Sequence, residues 1–394
     1  MSHNQPFLLL AALSIAILSA CGESGKPITS GINELVVKIG AVAPLTGPQA
    51  HIGKDNENGT RMAIEDANTR GVIIGGRKAH FELISEDDQA DPKTATIVAQ
   101  KLVDAKVNGV IGHLNSGTSI PASRIYNDNG IPQISPSATA VGYTTQGFKT
   151  AFRVMSNDGQ QGKALGEFAA NTLNAKKIAV IDDRSAYGQG LADEFIKSIH
   201  ANGAQIVARE YTTDKAVDFT AVLTSIKSKH PDLLFFGGMD PQGVPMAKQL
   251  KALGLNVKFM MGDGGYTPKL LDLAGDAADG IYASLPGVPL EQMPSGKDFS
   301  QRYKEKYKQP IQLYAPYCYD AVNVMIAAMQ TADSADPAKY LPELSKITHG
   351  GVTASITFDE KGDIKGGAVT LYQVQQGKWQ PLQTMGGNTA ISAH

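Results

Sequence analysis

Residues 110–139 read VIGHLNSGTSIPASRIYNDNGIPQISPSAT, and the fold follows from how this stretch divides. Two short apolar runs, Val110–Leu114 and Ile131–Ser135, have the length and β-branched content of buried strands. Between them, Ile120–Asn129 reads as a helix. Strand, helix, strand in that order is a parallel pair joined by a crossover. Each strand also ends in a turn of small residues. The first runs into Asn115, Ser116, Gly117, Thr118 and Ser119, the second into Ser135, Pro136, Ser137, Ala138 and Thr139. Such a turn can simply cap the next helix. It can also present hydroxyls and backbone N–H groups, with the helix dipole behind them, to an anion. Two neighbouring strands ending this way are therefore either two ordinary caps or one joint carboxylate pocket.

The same alternation extends in both directions. On the amino side, Val36–Val42 and Phe81–Ile84 read as strands, and 53–69 and Pro92–Asp104 as helices, the latter opened by the N-cap Asp91. On the carboxyl side, strands at Ile178–Asp182, Ile206–Tyr211, Leu233–Phe236 and Val257–Met261 alternate with helices at 158–173, 191–201, 219–229 and 244–253. Helices follow at 299–307 and 319–330, then strands at 354–358 and 369–374. The expected fold class is α/β, with two Rossmann-like lobes of mainly parallel sheet. Ligands in such folds sit beyond the carboxyl ends of the strands. There the second half places Tyr187 after one strand, Met239 after another, and Asp263 and Tyr266 in a glycine-rich turn after a third. Asp263 is read as either a turn former or a partner for a cation.

Composition narrows the function. Apolar residues make up 42% of 394, enough for two cores. Lys and Arg number 36 against 38 Asp and Glu, a balance that argues against nucleic acid as a partner. Two Cys cannot build a cysteine zinc site, and no H-E-x-x-H stretch is present, so no metal or other cofactor is expected. No G-x-S-x-G elbow or phosphate-binding loop occurs, and an enzyme is not expected. His113, inside an apolar strand, reads as a core histidine, and Glu86-Asp87-Asp88 as a solvated strand end. The apolar run Phe7–Ala20 is too short to span a membrane and fits an export signal.

Several motifs carry a family resemblance. They are Gly40–Pro48, Asp87–Pro92, Val110–Leu114, Ile134–Thr139, Tyr187-Gly188 and Phe358–Asp363. In order and spacing they resemble the substrate-binding proteins of branched-chain amino acid ABC transporters, the Leu/Ile/Val-binding family with the type I periplasmic binding fold. The resemblance runs from about Leu35 to Trp379. It implies that Ser116 and Thr139 bind a ligand α-carboxylate, that the Ser137 carbonyl accepts from the α-ammonium, and that Tyr187 reaches in from the second lobe. Leu114 falls on the apolar wall, and Asn115, Ala138, Met239 and Tyr266 accompany these residues as candidate ligand contacts. The family's ammonium-binding carboxylate falls on Gly264, so Asp263 is expected to serve instead. Ile52 and Met239 stand where family members carry aromatics, which puts the Leu/Ile/Val preference in question. The family disulfide falls on Ala90 and Asn115 and is absent, and Cys318 is expected to be buried alone.

The resemblance also implies an organisation. Residues 1–20 form a lipoprotein signal, with Cys21 acylated after cleavage, and 21–34 a tether. Lobe one takes 35–155 with 286–366, and lobe two 156–285 with 367–385. Hinge crossings are expected near Val154–Ser156, Ser284–Pro286 and Gly366–Val369. The expected protein is a monomeric solute-binding component of an ABC importer, lipid-anchored at the periplasm or cell surface and working with membrane permease subunits. Its ligand is a branched-chain or other aliphatic amino acid. The rival readings are a sensor or receptor for short amides or urea, and an importer component for aromatic acids.

Overall fold

The computed structural model describes residues 34–387. The proposed signal, tether and Cys21 lie outside the described residues. The chain begins with β1 (Leu35–Ala43), α1 (Ala50–Arg70), β2 (Ile73–Ile74), β3 (Arg77–Asp87), α2 (Pro92–Asp104), β4 (Gly109–Gly112), α3 (Ser116–Asp128), β5 (Gln133–Ser135) and β6 (Ala151–Arg153). These strands form one sheet in the order β2-β3-β1-β4-β5-β6, parallel except for the β2–β3 hairpin.

The chain then enters a second lobe with α4 (Asp158–Glu167), β7 (Lys177–Asp182), α5 (Ala186–Ala201), β8 (Gln205–Tyr211), α6 (Thr220–Lys227), β9 (Leu233–Gly237), α7 (Asp240–Ala252), β10 (Lys258–Met261), α8 (Pro268–Ala274) and β11 (Tyr282–Pro286). It returns to the first lobe for α9 (Gly296–Tyr307), α10 (Ala315–Thr331), α11 (Pro337–Leu344) and the hairpin β12 (Thr348–Gly350) with β13 (Ser355–Thr357). It crosses back for β14 (Ala368–Gln375) and β15 (Lys378–Gly386). The second sheet runs β15-β14-β11-β10-β9-β7-β8.

Burial explains the central strands. Every residue of β9, LLFFG, is buried, as expected of a parallel strand covered on both faces. Helix α4 starts on a full capping box, Asn157 with Gln160, and α2 on the Asp91 side chain. Beyond Glu167, α4 widens into a π-turn over Phe168–Thr172 rather than continuing as α-helix to 173.

One systematic difference from the sequence reading matters for the site. Helices α3, α5, α7 and α10 each start four or five residues earlier than apolar spacing indicates, at Ser116, Ala186, Asp240 and Ala315. In α3 the hydroxyl run is the first helical turn itself. Thr118 Oγ1 bonds the Asn115 carbonyl and Ser119 Oγ the His113 carbonyl, so these side chains satisfy local acceptors while the helix begins. Of the candidate site residues, Ser116 and Tyr187 therefore sit on helix first turns, where unpaired N–H groups and the positive dipole end are concentrated, while Ser137, Ala138 and Thr139 lie in the loop after β5.

Candidate functional site

The two hydroxyl turns are one structure. Ser116 Oγ accepts from the Ala140 N–H at 3.1 Å, next to Thr139. Ser137 Oγ donates to the Leu114 carbonyl at 3.1 Å and accepts from Asn56 Nδ2 at 3.3 Å. The Ala138 N–H donates to Ser135 Oγ at 2.9 Å. Arg153, fully buried, clamps the segment from behind. Its Nη1 donates to the carbonyls of Ala138 (2.9 Å) and Ala140 (2.8 Å), and its Nη2 to Thr144 Oγ1 at 3.0 Å. Its Nε donates to Asp363 Oδ1 at 3.0 Å. With both flanking carbonyls held, the peptide carrying Thr139 has one orientation.

Asp263 collects donors from both lobes. Its Oδ1 accepts from Tyr187 Oη at 2.7 Å and Gln161 Nε2 at 3.0 Å, and its Oδ2 from Tyr314 Oη at 2.6 Å. Tyr187 Oη in turn accepts from the Gly264 N–H at 3.0 Å. Complete burial raises the Asp263 pKa, and the bonds from Tyr314, Tyr187 and Gln161 oppose that rise. Gly264 has no room for a side chain. A Cβ there would lie 2.6 Å from Met239 Sδ and 2.8 Å from the Gly238 carbonyl, so the carboxylate of this turn has to come from position 263. Tyr314 belongs to lobe one and Asp263 to lobe two, so their bond crosses the cleft. A second bridge crosses it too, from His51 Nε2 on α1 to Asp240 Oδ2 on α7 at 2.8 Å. The described arrangement is the closed one.

Several buried polar atoms here make no well-formed hydrogen bond among the described residues: Thr139 Oγ1 and the Asp158 carboxylate oxygens, which face each other, and Asn115 Oδ1. The Asp158 N–H donates to the Thr139 carbonyl at 2.8 Å, which places that carboxylate beside the hydroxyl turn. Its pKa is pushed up to about 8, first by burial and then by the neighbouring Asp263 charge, against the pull of the Thr139 hydroxyl and Arg153. Unpaired buried polar groups are costly. A group of them around one cleft is complementary to a small ligand carrying both acceptors and donors.

Not every candidate joins this group. Tyr187, Met239 and Leu114 are buried in the same apolar cluster as Ile52. Tyr266 turns away, with its ring on Tyr372 and Trp379 at centroid distances of 4.3 and 5.1 Å. Asn115 reaches Gln49 through Nδ2 at 2.8 Å. Three participants escaped the sequence reading: Tyr314, Asp158 and Gln161. Asp158 had a legible signal, because Asn157 already supplies the cap and the acidic residue beside it is not needed for capping. Tyr314 precedes the Ala315-Pro316 helix start, a boundary that apolar spacing passed over.

Elsewhere, His113 is a core histidine, bonded to Asp88 Oδ2 at 2.9 Å and Tyr126 Oη at 3.1 Å. The Glu86-Asp87-Asp88 run is not a solvated strand end. Asp88 is fully buried by that bond, and Asp87 accepts from the Leu45 N–H at 2.8 Å. Cys318 is buried and unpaired.

Comparison with known proteins agrees with this architecture. Residues 36–378 match the family model described as periplasmic binding protein. The chain is 36% identical over 337 residues to the leucine-, isoleucine-, valine-, threonine-, and alanine-binding protein of Pseudomonas aeruginosa, covering 86% of this chain and 89% of that one. It is 33% identical to the leucine-specific-binding protein of Salmonella typhimurium, covering 89% and 96%. Among solved structures, a leucine binding protein from Thermotoga maritima superposes with TM-score 0.82 at 28% identity, covering 89% of this chain and 98% of that one. A branched-chain amino acid transporter substrate binding protein from Streptococcus pneumoniae, in complex with isoleucine, gives 0.80 at 26%, covering 89% and 99%. With the fold, the cross-cleft bonds and these matches together, the chain belongs to the periplasmic binding protein family.

Proposed function

We propose that this protein is the solute-binding component of an ABC importer and that its cleft holds an aliphatic α-amino acid. The observation that carries the reading is the pairing of opposite chemistries across one closed cleft. The hydroxyl turns of Ser116, in the first turn of α3, and of Thr139, in the loop after β5, suit a carboxylate. Asp263, held from both lobes, suits an ammonium, with Asp158 as a further polar group beside the hydroxyl turn. Leu114, Ile52 and Met239 leave an apolar wall for an aliphatic side chain. Relatives named for binding leucine, isoleucine, valine, threonine and alanine support the same ligand class. A short amide or urea would bring no ammonium to the buried Asp263 carboxylate, and an aromatic acid would bring none either.

In this reading the ligand works as an adhesive between lobes. Each lobe satisfies only one end of the zwitterion, so binding favours the closed form by the difference in affinity between closed and open. The exported, lipid-anchored location rests on the leader and Cys21 in the sequence, and the permease partner on the family resemblance. Calorimetric titration with leucine, isoleucine, valine, alanine, benzoate and acetamide tests the proposal. Tight binding of an aliphatic amino acid supports it. Binding only of benzoate or acetamide overturns it.

A further inference from the structure

A second cavity, of about 250 Å³, opens where the chain passes between the lobes. None of Ser116, Thr139, Tyr187 or Asp263 lines it. All three connecting segments do: Val154 to Ser156 from the first, Gly287 and Val288 from the second, Ile364 to Ala368 from the third. Tyr317 of α10 adds an aromatic wall, and its hydroxyl donates to the Pro286 carbonyl, which ties the cavity to the end of β11. The lining is mostly apolar. Among the described residues it contains one charged side chain, Lys365, and no carboxylate. Gln292 adds an amide. The volume is slightly below that of sites for drug-sized ligands, so it suits a molecule of about ten non-hydrogen atoms.

We propose that this cavity is a second ligand site, for a small monocarboxylate with a compact apolar body, and that its occupant favours the closed form. The charge argument rests on Lys365, an exposed residue that is the one charged member of this lining and also borders the neighbouring surface with Asp359 and Glu360: a cation at the cavity favours an anion, and the apolar walls select what is attached to it. The coupling follows from the walls. They come from the first lobe, from Gly387 at the end of the second sheet and from the segments that must rotate when the lobes separate, so the shape depends on the interlobe angle. A molecule that fits that shape binds the closed form better and shifts the population toward it. Reciprocity requires the cleft ligand to tighten the second site by the same factor.

The test uses phenylacetate as probe on the mature protein, followed by ligand-observed NMR, with leucine affinity measured in parallel by calorimetry. Binding at about 1 mM or tighter is expected for the wild type. It is expected to survive in the cleft variant Ser116→Ala with Thr139→Ala. It should be lost in the cavity-filling variants Ala354→Phe and Val288→Phe, each first shown to melt like the wild type, and weakened about fivefold or more by Lys365→Glu. Saturating phenylacetate should lower the leucine Kd by about fivefold. Loss of phenylacetate binding in the cleft variant, with retention in both filled variants, would place the probe in the cleft and overturn the proposal. So would no detectable binding, or a leucine Kd that phenylacetate leaves unchanged or raises. The phenylacetate arm uses no amino acid, so its outcome is independent of the reading of the cleft.

Discussion

Tyr314, just before α10 in the first lobe, donates its hydroxyl to Asp263 Oδ2 in the second lobe at 2.6 Å. The bond exists only while the lobes are together. A hydrogen bond to a charged group contributes about 1.5–3 kcal/mol. Tyr314→Phe is therefore expected to weaken amino acid binding by about ten- to a hundredfold. The ligand-free stability should change little, because the open form never makes the bond. Calorimetry and a melting curve on the same variant separate the two effects.

The hydroxyl turns give a second expectation. Ser116→Ala with Thr139→Ala removes both side-chain hydroxyls from the carboxylate end. The Thr139 hydroxyl faces the Asp158 carboxyl, whose pKa it lowers, and Ser116 Oγ loses its bond from the Ala140 N–H. The stability cost is about 1 kcal/mol, while binding should become undetectable. Unchanged affinity in this double variant would remove the assigned carboxylate site.

Asp158 sets a pH dependence. Its folded-state pKa is raised to about 8 from an ordinary value of 3.8. The folded protein therefore holds a proton that the unfolded chain releases between those values. Its contribution to stability is greatest at low pH, falls as pH rises from about 4 to about 8, and is constant above. The slope from this one group is at most about 1.4 kcal/mol per pH unit. In Asp158→Asn the ligand-free protein should lose that slope and be more stable than wild type at pH 7. Urea titrations at a series of pH values check both statements. The same variant should bind the amino acid more weakly, because a carboxyl group beside the hydroxyl turn is gone.

Arg153 is expected to respond to a change that keeps its charge. A lysine cannot hold the carbonyls of Ala138 and Ala140, Thr144 and Asp363 from one planar group. Arg153→Lys should therefore lower both stability and affinity, although position 153 is not among the residues assigned to the ligand. Asp363→Asn leaves the buried guanidinium without its countercharge and is expected to cost about 3–5 kcal/mol. Equilibrium unfolding gives the second value directly.

The alternation of strands and helices, and the two hydroxyl turns, were legible because parallel strands leave dense apolar runs and helices leave spacing. Pro92–Asp104 appears with the expected bounds. What stayed hidden lacked those signals. Strand β15 is almost wholly exposed, contains Pro381, and has no apolar alternation, as an edge strand permits. The first turns of α3, α5 and α7 carry glycines and polar residues, and that of α10 carries Pro316, so their starts read as loop. Asp158 and Tyr314 were missed for another reason: both stand at helix starts, and only tertiary structure shows that they face one cleft. Asp263 was visible because an acidic residue among glycines stands out, whereas its three donors come from positions far apart in the chain.

The path of the chain has a consequence for biogenesis. Strand β11 lies between β10 and β14, and β14 arrives only after α9, α10, α11 and the small hairpin have been made. During amino-to-carboxyl emergence, one edge of β11 waits unpaired until residues 368–375 appear. An open edge of this kind invites pairing with other chains. Truncations before Ala368 should therefore yield aggregates rather than a soluble single lobe, and maturation of the second half must wait for the final stretch of polypeptide.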